Sequence, residues 1–99
     1  MLIRSQNKEL LVNFNVSAGI EIEERNTKTV ATSYITGCSY LLGEYSTKAK
    51  AMKVLDMIQE AYSEYQIMLN FSVSYLHEFK EKTDGFAIFQ MPEDSEAEV

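Results

Sequence analysis

The only cysteine of the chain, Cys38, stands in a turn-like context between Gly37 and Ser39. Its thiol would be a nucleophile or a redox sensor if a nearby base stabilised the thiolate. The only histidine, His77, is distant in the sequence. Free cysteines are more often small, inert packing residues, so the pattern favours a structural role. A lone thiol also fits a reducing compartment.

Two sets of side chains have the spacing of metal ligands on a helix. His77 and Glu81 are four residues apart, and Asp56, Glu60 and Glu64 repeat at the same interval. A zinc site needs a third and usually a fourth ligand, whereas calcium sites wrap a loop around the ion. Carboxylates on one straight helix face point to solvent and repel slightly. We therefore expect no metal site, no cofactor and no catalytic residue.

The chain is rich in tyrosine, with six tyrosines and no tryptophan. Tyrosine is favoured at protein interfaces because it buries a ring and keeps a polar tip. The alternative is that the tyrosines of the sheet and of the helix pack against each other at the rim of the core. The candidate interaction surface consists of Tyr34, Tyr40, Tyr45, Tyr62, Tyr65 and Tyr75.

The negative charge of the chain is concentrated at one end. The formal net charge is −6, from 15 acidic and 9 basic side chains. Glu93, Asp94, Glu96 and Glu98 supply four of the acidic groups, which leaves 11 against the 9 basic ones in residues 1–92. We expect one domain over 1–92 and a disordered acidic tail over 93–99. A nearly neutral body predicts no nucleic-acid binding.

The distribution of apolar residues predicts where in the cell the protein is located. No apolar run approaches the ~18 residues that a membrane span needs. The beginning, Met1 to Arg4, turns polar within a few residues, unlike a signal peptide. We expect a cytoplasmic protein without membrane contact.

Short alternating segments in the first half predict β-strands. The first segment is expected to bury one face, which carries Leu10, Val12, Phe14 and Val16, with Leu11, Asn13 and Asn15 between them. Further strands are predicted at Ile20–Glu23, with Glu21 and Glu23 facing solvent, at Thr29–Thr36 and at Tyr40–Tyr45. Leu2–Arg4 is a short apolar start. The polar turns between the strands are too short for parallel pairing, so the strands form an antiparallel meander.

An amphipathic helix is predicted from Ser46, which is a favoured N-cap residue. Its apolar stripe is expected to comprise Met52, Leu55, Ile58 or Gln59, Tyr62 and Tyr65. Residues 66–82 match the helix and the strand patterns equally, and we favour a continuous or kinked helix because nothing stops the preceding one. Phe86–Met91 is predicted to be a final strand ended by Pro92.

The predicted fold class is α+β. Four to five antiparallel strands form one sheet, one long or kinked amphipathic helix packs on its apolar face, and the C-terminal strand returns to the sheet. A small curled or partly closed barrel is the main variant.

Four segments carry a resemblance. They are Met1–Gln6, the junction Leu42–Thr47 followed by Lys50-Ala51, the run Val54–Ala61, and Phe89–Asp94. Together they resemble a group of small uncharacterised proteins of Gram-positive bacteria and of their phages and prophages. The group has no agreed activity, so the resemblance implies a fold and a phage or prophage setting but no catalytic residue.

The size, the tyrosines and the absence of reactive motifs favour a non-enzymatic protein-interaction module. The partner is expected to be a second copy of the chain, in a homo-oligomer, or a host or phage protein. The alternative is a small-molecule or nucleotide-binding domain.

Overall fold

The structure is a computed structural model that describes residues 1–69 and 88–97. The described part is α+β, as the sequence predicts. Its elements, in chain order, are β1 (Leu2–Arg4), β2 (Leu11–Asn13), a 3-10 helix (Phe14–Val16), β3 (Gly19–Arg25), β4 (Lys28–Ile35), β5 (Cys38–Tyr45), α1 (Lys48–Leu69), β6 (Ile88–Gln90) and a 3-10 helix (Asp94–Glu96).

The described strands form two three-stranded sheets, where the sequence analysis expected one sheet of four to five strands. β3, β4 and β5 are consecutive antiparallel neighbours and make a three-stranded meander. The other sheet has the order β2-β1-β6. In it, β1 pairs antiparallel with β2 and parallel with β6. The final strand therefore pairs with β1 and not with a strand of the meander. Parallel pairing requires a long connection, and the two strands are far apart in the sequence.

The first long strand is shorter than predicted. β2 ends at Asn13, whose side chain accepts a hydrogen bond from the Asn15 N–H at 3.0 Å. Such a local bond competes with strand pairing, and the chain turns into a 3-10 helix. Val12 is buried, but Val16 is 59% exposed. The prediction of one strand with a buried face from Leu10 to Val16 is therefore wrong beyond Asn13, although Phe14 still packs against the core.

The alternation predicted for β3 is confirmed. Ile20 and Ile22 pack against the core, whereas Glu21 and Glu23 are exposed. Pairing with β4 aligns Ile22 with Ala31, a core residue, and Glu21 with Thr32. Because cross-strand partners share a face, one face of the meander points to the helix and the other carries the carboxylates.

Helix α1 begins one residue later than the sequence predicts. The Thr47 hydroxyl accepts from the Lys50 N–H at 3.2 Å, and the Thr47 carbonyl accepts from the Ala51 N–H. Thr47 is thus the N-cap. The Ser46 N–H instead donates to Asp94 at 2.8 Å, so the prediction of Ser46 as the cap is wrong.

The buried seam of α1 is offset from the predicted stripe. Ala51, Val54 and Ile58 are buried at positions i, i+3 and i+7. Met52, the first residue of the predicted stripe, is 41% exposed, and Leu55 is half-buried. Ile58, one of the two candidates for the third position of the stripe, is buried, and the two tyrosines that follow in the stripe pack against the core. The predicted stripe therefore departs from the core only at its first two residues.

One buried cluster joins the two sheets, α1 and the residues that follow β6. Its fully buried members are Met1, Ile3, Val12, Ala31, Leu42, Tyr45, Ala51, Val54, Ile58, Met91 and Ala97.

Residues 93–97 are packed, whereas their acidic composition predicts a disordered tail. Glu93 and Glu96 form a capping box around the 3-10 helix Asp94–Glu96. Ala97 is fully buried in the core cluster. A small apolar residue within an acidic run thus anchors this segment, and the charged side chains around it remain on the surface.

The ambiguous stretch 66–82 begins as helix, since α1 runs to Leu69. Its remainder, and with it the choice between a helix and a strand, lies outside the described residues, as do Tyr75 and His77. Within residues 1–69 and 88–97, no helix combines the length and the apolarity needed to cross a membrane.

The offset of the helix seam is testable by substitution. Ile58→Ala removes a buried side chain and should lower the free energy of unfolding by about 2–5 kcal/mol. Met52→Ala, on the exposed flank, should change it by no more than about 0.5 kcal/mol. Urea denaturation followed by circular dichroism measures both. An equal loss in the two variants would contradict the assigned seam.

Candidate interaction surface

The side chain of Gln6 connects three parts of the chain. Its amide group donates to the Glu44 carbonyl at 3.1 Å and accepts from the Glu44 N–H at 2.9 Å. It thereby reproduces, on the outer edge of β5, the pair of bonds that a neighbouring strand would make. The same NH₂ group donates to the Pro92 carbonyl at 3.1 Å, and the Gln6 N–H donates to the Leu42 carbonyl at 2.7 Å.

Tyr45 fills the centre of this junction. Its side chain is 1% exposed, and its hydroxyl donates to the Pro92 carbonyl at 2.9 Å. Burial raises the pKa of Tyr45, and the nearby carboxylates of Glu93, Asp94 and Glu96 add to the effect. The ring lies close to Gly43, where a Cβ atom would stand 3.2 Å from the Tyr45 hydroxyl oxygen. Tyr45 is therefore a core residue, and its assignment to an interaction surface is wrong.

Asp94 holds the start of α1. One carboxylate oxygen accepts from the Ser46 N–H at 2.8 Å, and the other lies 3.2 Å from the Lys50 ammonium nitrogen. The bond from the Ser46 backbone, followed by that from Lys50, lowers the pKa of Asp94 below its ordinary value, although partial burial opposes the shift. The packed end of the chain thus fixes where the helix begins.

A cleft of about 430 Å³ opens beside this junction. Its walls carry three carboxylates, from Glu44, Glu93 and Asp94, and the ammonium of Lys28, which lies 3.2 Å from a Glu44 carboxylate oxygen. The remaining lining residues are Gln6, Thr27, Tyr45 and Ser46. Because the charge is predominantly negative, the cleft would repel a phosphate group.

An apolar groove of about 360 Å³ runs between α1 and the edge of the meander. Phe14 and Ile20 form one wall, and Leu55, Ile58 and Tyr62 form the other. Gln59 and Ser63 stand on the helix side of the same groove, and both are exposed. The Phe14 and Tyr62 rings meet at 4.9 Å between centroids, tilted by 57°, within the usual range for aromatic pairs.

The five described candidate tyrosines do not share one surface. Tyr40, Tyr62 and Tyr65 are half-buried and pack against the core cluster. Tyr34 lies near the far end of β4, where a hydrogen bond to Glu21 raises the pKa of its hydroxyl. Tyr62 alone among the described ones lines the apolar groove, and Tyr75 lies outside the described residues.

The described side chains that suggested chemistry are not grouped together. Cys38 is exposed at the start of β5 and borders a small depression with Tyr34 and Ile35. Asp56, Glu60 and Glu64 are exposed along α1. Within residues 1–69 and 88–97, no three histidine, cysteine or acidic side chains are grouped as metal ligands.

Comparisons with protein-family models, with curated proteins and with solved structures find no match to this chain.

Sequence reasoning missed two residues that organise the site, Gln6 and Phe14. Gln6 acts through partners in β5 and near the end of the chain, so no local pattern could identify it. Phe14 was expected within a strand, and its place in the groove depends on the early end of β2 at Asn13.

The buried hydroxyl of Tyr45 allows a direct test of the junction. Tyr45→Phe removes one buried hydrogen bond and should lower the free energy of unfolding by about 1 kcal/mol. Tyr40→Phe is the control, because no described residue bonds to its hydroxyl, and its effect should stay within about 0.5 kcal/mol. Thermal denaturation of the two variants compares them. Equal stability of Tyr45→Phe and the original protein would contradict the assigned bond.

The lowered pKa of Asp94 predicts a pH dependence of stability. The ionised form is favoured in the folded state, so its stabilisation is present at neutral pH and disappears as the carboxylate is protonated, below about pH 4. The difference in unfolding free energy between the original protein and Asp94→Asn should therefore shrink as the pH falls through that range. Urea titrations at a series of pH values measure it. A difference independent of pH would refute the assignment.

Proposed function

We propose that this chain is a non-enzymatic protein-interaction module that associates with copies of itself, in the bacterial cytoplasm and in the phage or prophage setting that its sequence resemblance implies. The observation that carries the proposal is the apolar groove between α1 and the meander. Its walls come from Phe14, Ile20 and three helix residues. Apolar side chains that border open surface in this way are typical of protein-binding sites.

The flank of α1 supports this interpretation. Because the buried seam is formed by Ala51, Val54 and Ile58, the neighbouring apolar stripe is left at the surface. Met52 is 41% exposed, and Leu55 and Tyr62 are half-buried in the wall of the groove. Two helices with such a flank can bury it against each other, and that burial favours association by roughly 25 cal/mol per Å² before the costs of binding.

The groove is also preformed. Phe14 is held by the 3-10 helix Phe14–Val16, whose first residue also donates its N–H to the Met1 carbonyl at 3.0 Å. The tilted contact with Tyr62 fixes the position of both rings. A surface that is already ordered loses less conformational freedom on binding, which favours a stable partner contact.

A second candidate, a small-molecule binding domain, draws support from the same groove, since its volume lies within the usual range of ligand pockets. A nucleotide-binding domain is less favoured. The cleft next to Tyr45 is lined by Glu44, Glu93 and Asp94, which oppose a phosphate.

The test is the mass of the protein in solution. Sedimentation equilibrium at high micromolar concentration should give a dimer or a larger assembly. Gln59→Arg combined with Ser63→Arg places two charges at the groove, and it should shift the population toward the monomer by about tenfold or more in the dissociation constant. Both positions are exposed, so the fold should persist.

The matched control is Glu60→Gln combined with Glu64→Gln, which adds the same charge on exposed positions of α1 away from the groove. This variant should associate like the original protein. A strict monomer at high concentration would refute the proposed self-association. Equal association of the two double variants would refute the groove as its surface.

A further inference from the structure

The edge strand β3 (Gly19–Arg25) has one side that no described strand occupies, and among its backbone groups only those of Gly19 bond to a described side chain, the Ser17 hydroxyl. It pairs with β4 over its whole length, and no described strand pairs with its other side. The opposite edge of the meander differs, because Gln6 occupies β5 at Leu42 and Glu44 through three hydrogen bonds. The free backbone groups of an edge strand can accept an added strand.

The two faces beside this edge differ in chemistry. Ile20 and Ile22 lie on the helix side, and Ile20 forms part of the groove wall. Glu21 and Glu23 lie on the other face and are exposed. A strand added to β3 would alternate in the same way. The residues of the added strand that lie beside Ile20 and Ile22 would be apolar. The alternate residues would lie beside the glutamates, on the opposite face.

The charges on β3 determine which kind of added strand it can bind. Glu21, Glu23 and Glu24 are exposed, and the one cation of the strand, Arg25, pairs with Glu23 at 3.1 Å. Within the described residues Glu21 and Glu24 make no ion pair. Antiparallel pairing of β3 with a second copy would bring these carboxylates together, and like charges across strands are destabilising. A second copy is therefore a poor occupant of this edge.

We propose that β3 accepts, as an added antiparallel strand, an extended segment of another protein that carries lysine or arginine at alternate positions with apolar residues between them. The basic side chains contact Glu21 and Glu23, and the backbone bonds to the edge of β3 that no described strand occupies. This inference goes beyond the proposed self-association and does not depend on it, because the glutamates face away from the groove.

The probe is a capped peptide in which lysine and valine alternate, labelled for fluorescence anisotropy. It should bind the original protein and the groove variant Gln59→Arg with Ser63→Arg alike. Methylation of every second backbone nitrogen, on the edge that would face β3, should weaken binding by about tenfold or more, because it removes the strand bonds and keeps the charge.

The protein variant Glu21→Lys with Glu23→Lys should lose about tenfold in affinity for the lysine peptide, because its cross-strand charge pairs become repulsive. The same variant should gain affinity for a peptide of alternating glutamate and valine, because those pairs become attractive. Glu60→Lys with Glu64→Lys, which makes the same charge change on the exposed face of α1, is the control and should bind like the original protein.

Three results would overturn the inference. They are no binding of the lysine peptide at millimolar concentration, equal binding of the methylated peptide, or an equal loss in the control variant. None of these results bears on the proposed self-association, which is tested by the mass of the protein in solution and by the groove variants.

Discussion

The rest of the structure depends on the carboxamide of Gln6. It stands at the end of the β2-β1-β6 sheet, pairs with both backbone groups of Glu44 in the meander, and donates to the Pro92 carbonyl. One side chain thus joins the two sheets and the end of the chain. The Tyr45 hydroxyl bonds to the same carbonyl from inside the core. Glutamine suits this position because its amide offers a donor and an acceptor in the geometry of a peptide bond.

The contacts around this junction determine which surfaces are left open. With Pro92 held in place, Asp94 reaches Ser46 and Lys50 and fixes the start of α1. The buried seam then begins at Ala51, and the flank that carries Met52 stays outside. Gln6 also occupies the edge of β5, whereas the edge of β3 stays free among the described residues. The same junction thus borders the start of the helix whose flank lines the groove, and it closes the edge of the meander opposite to β3.

The sequence predicts the local structure well and the long-range pairing poorly. The alternation of Ile20 and Ile22 with glutamates is a local pattern and identifies β3 correctly. The existence of α1 follows from its periodicity, but two stripes fit that period, and only packing selects the one with Ala51. The parallel pairing of β6 with β1, and the groove formed by Phe14 and Tyr62, join distant segments, so no local signal could indicate them. The buried Ala97 was obscured by the acidic residues around it.

Hydrogen exchange of Gln6→Glu tests the central role of this side chain most directly. The substitution keeps the shape of the side chain but replaces its NH₂ group with a carboxylate oxygen, which would face the carbonyls of Glu44 and Pro92. We expect the amides of β5, of the first turn of α1 and of residues 88–97 to lose protection together. Loss of protection confined to the turn between β1 and β2 would contradict the claim that Gln6 joins the two sheets.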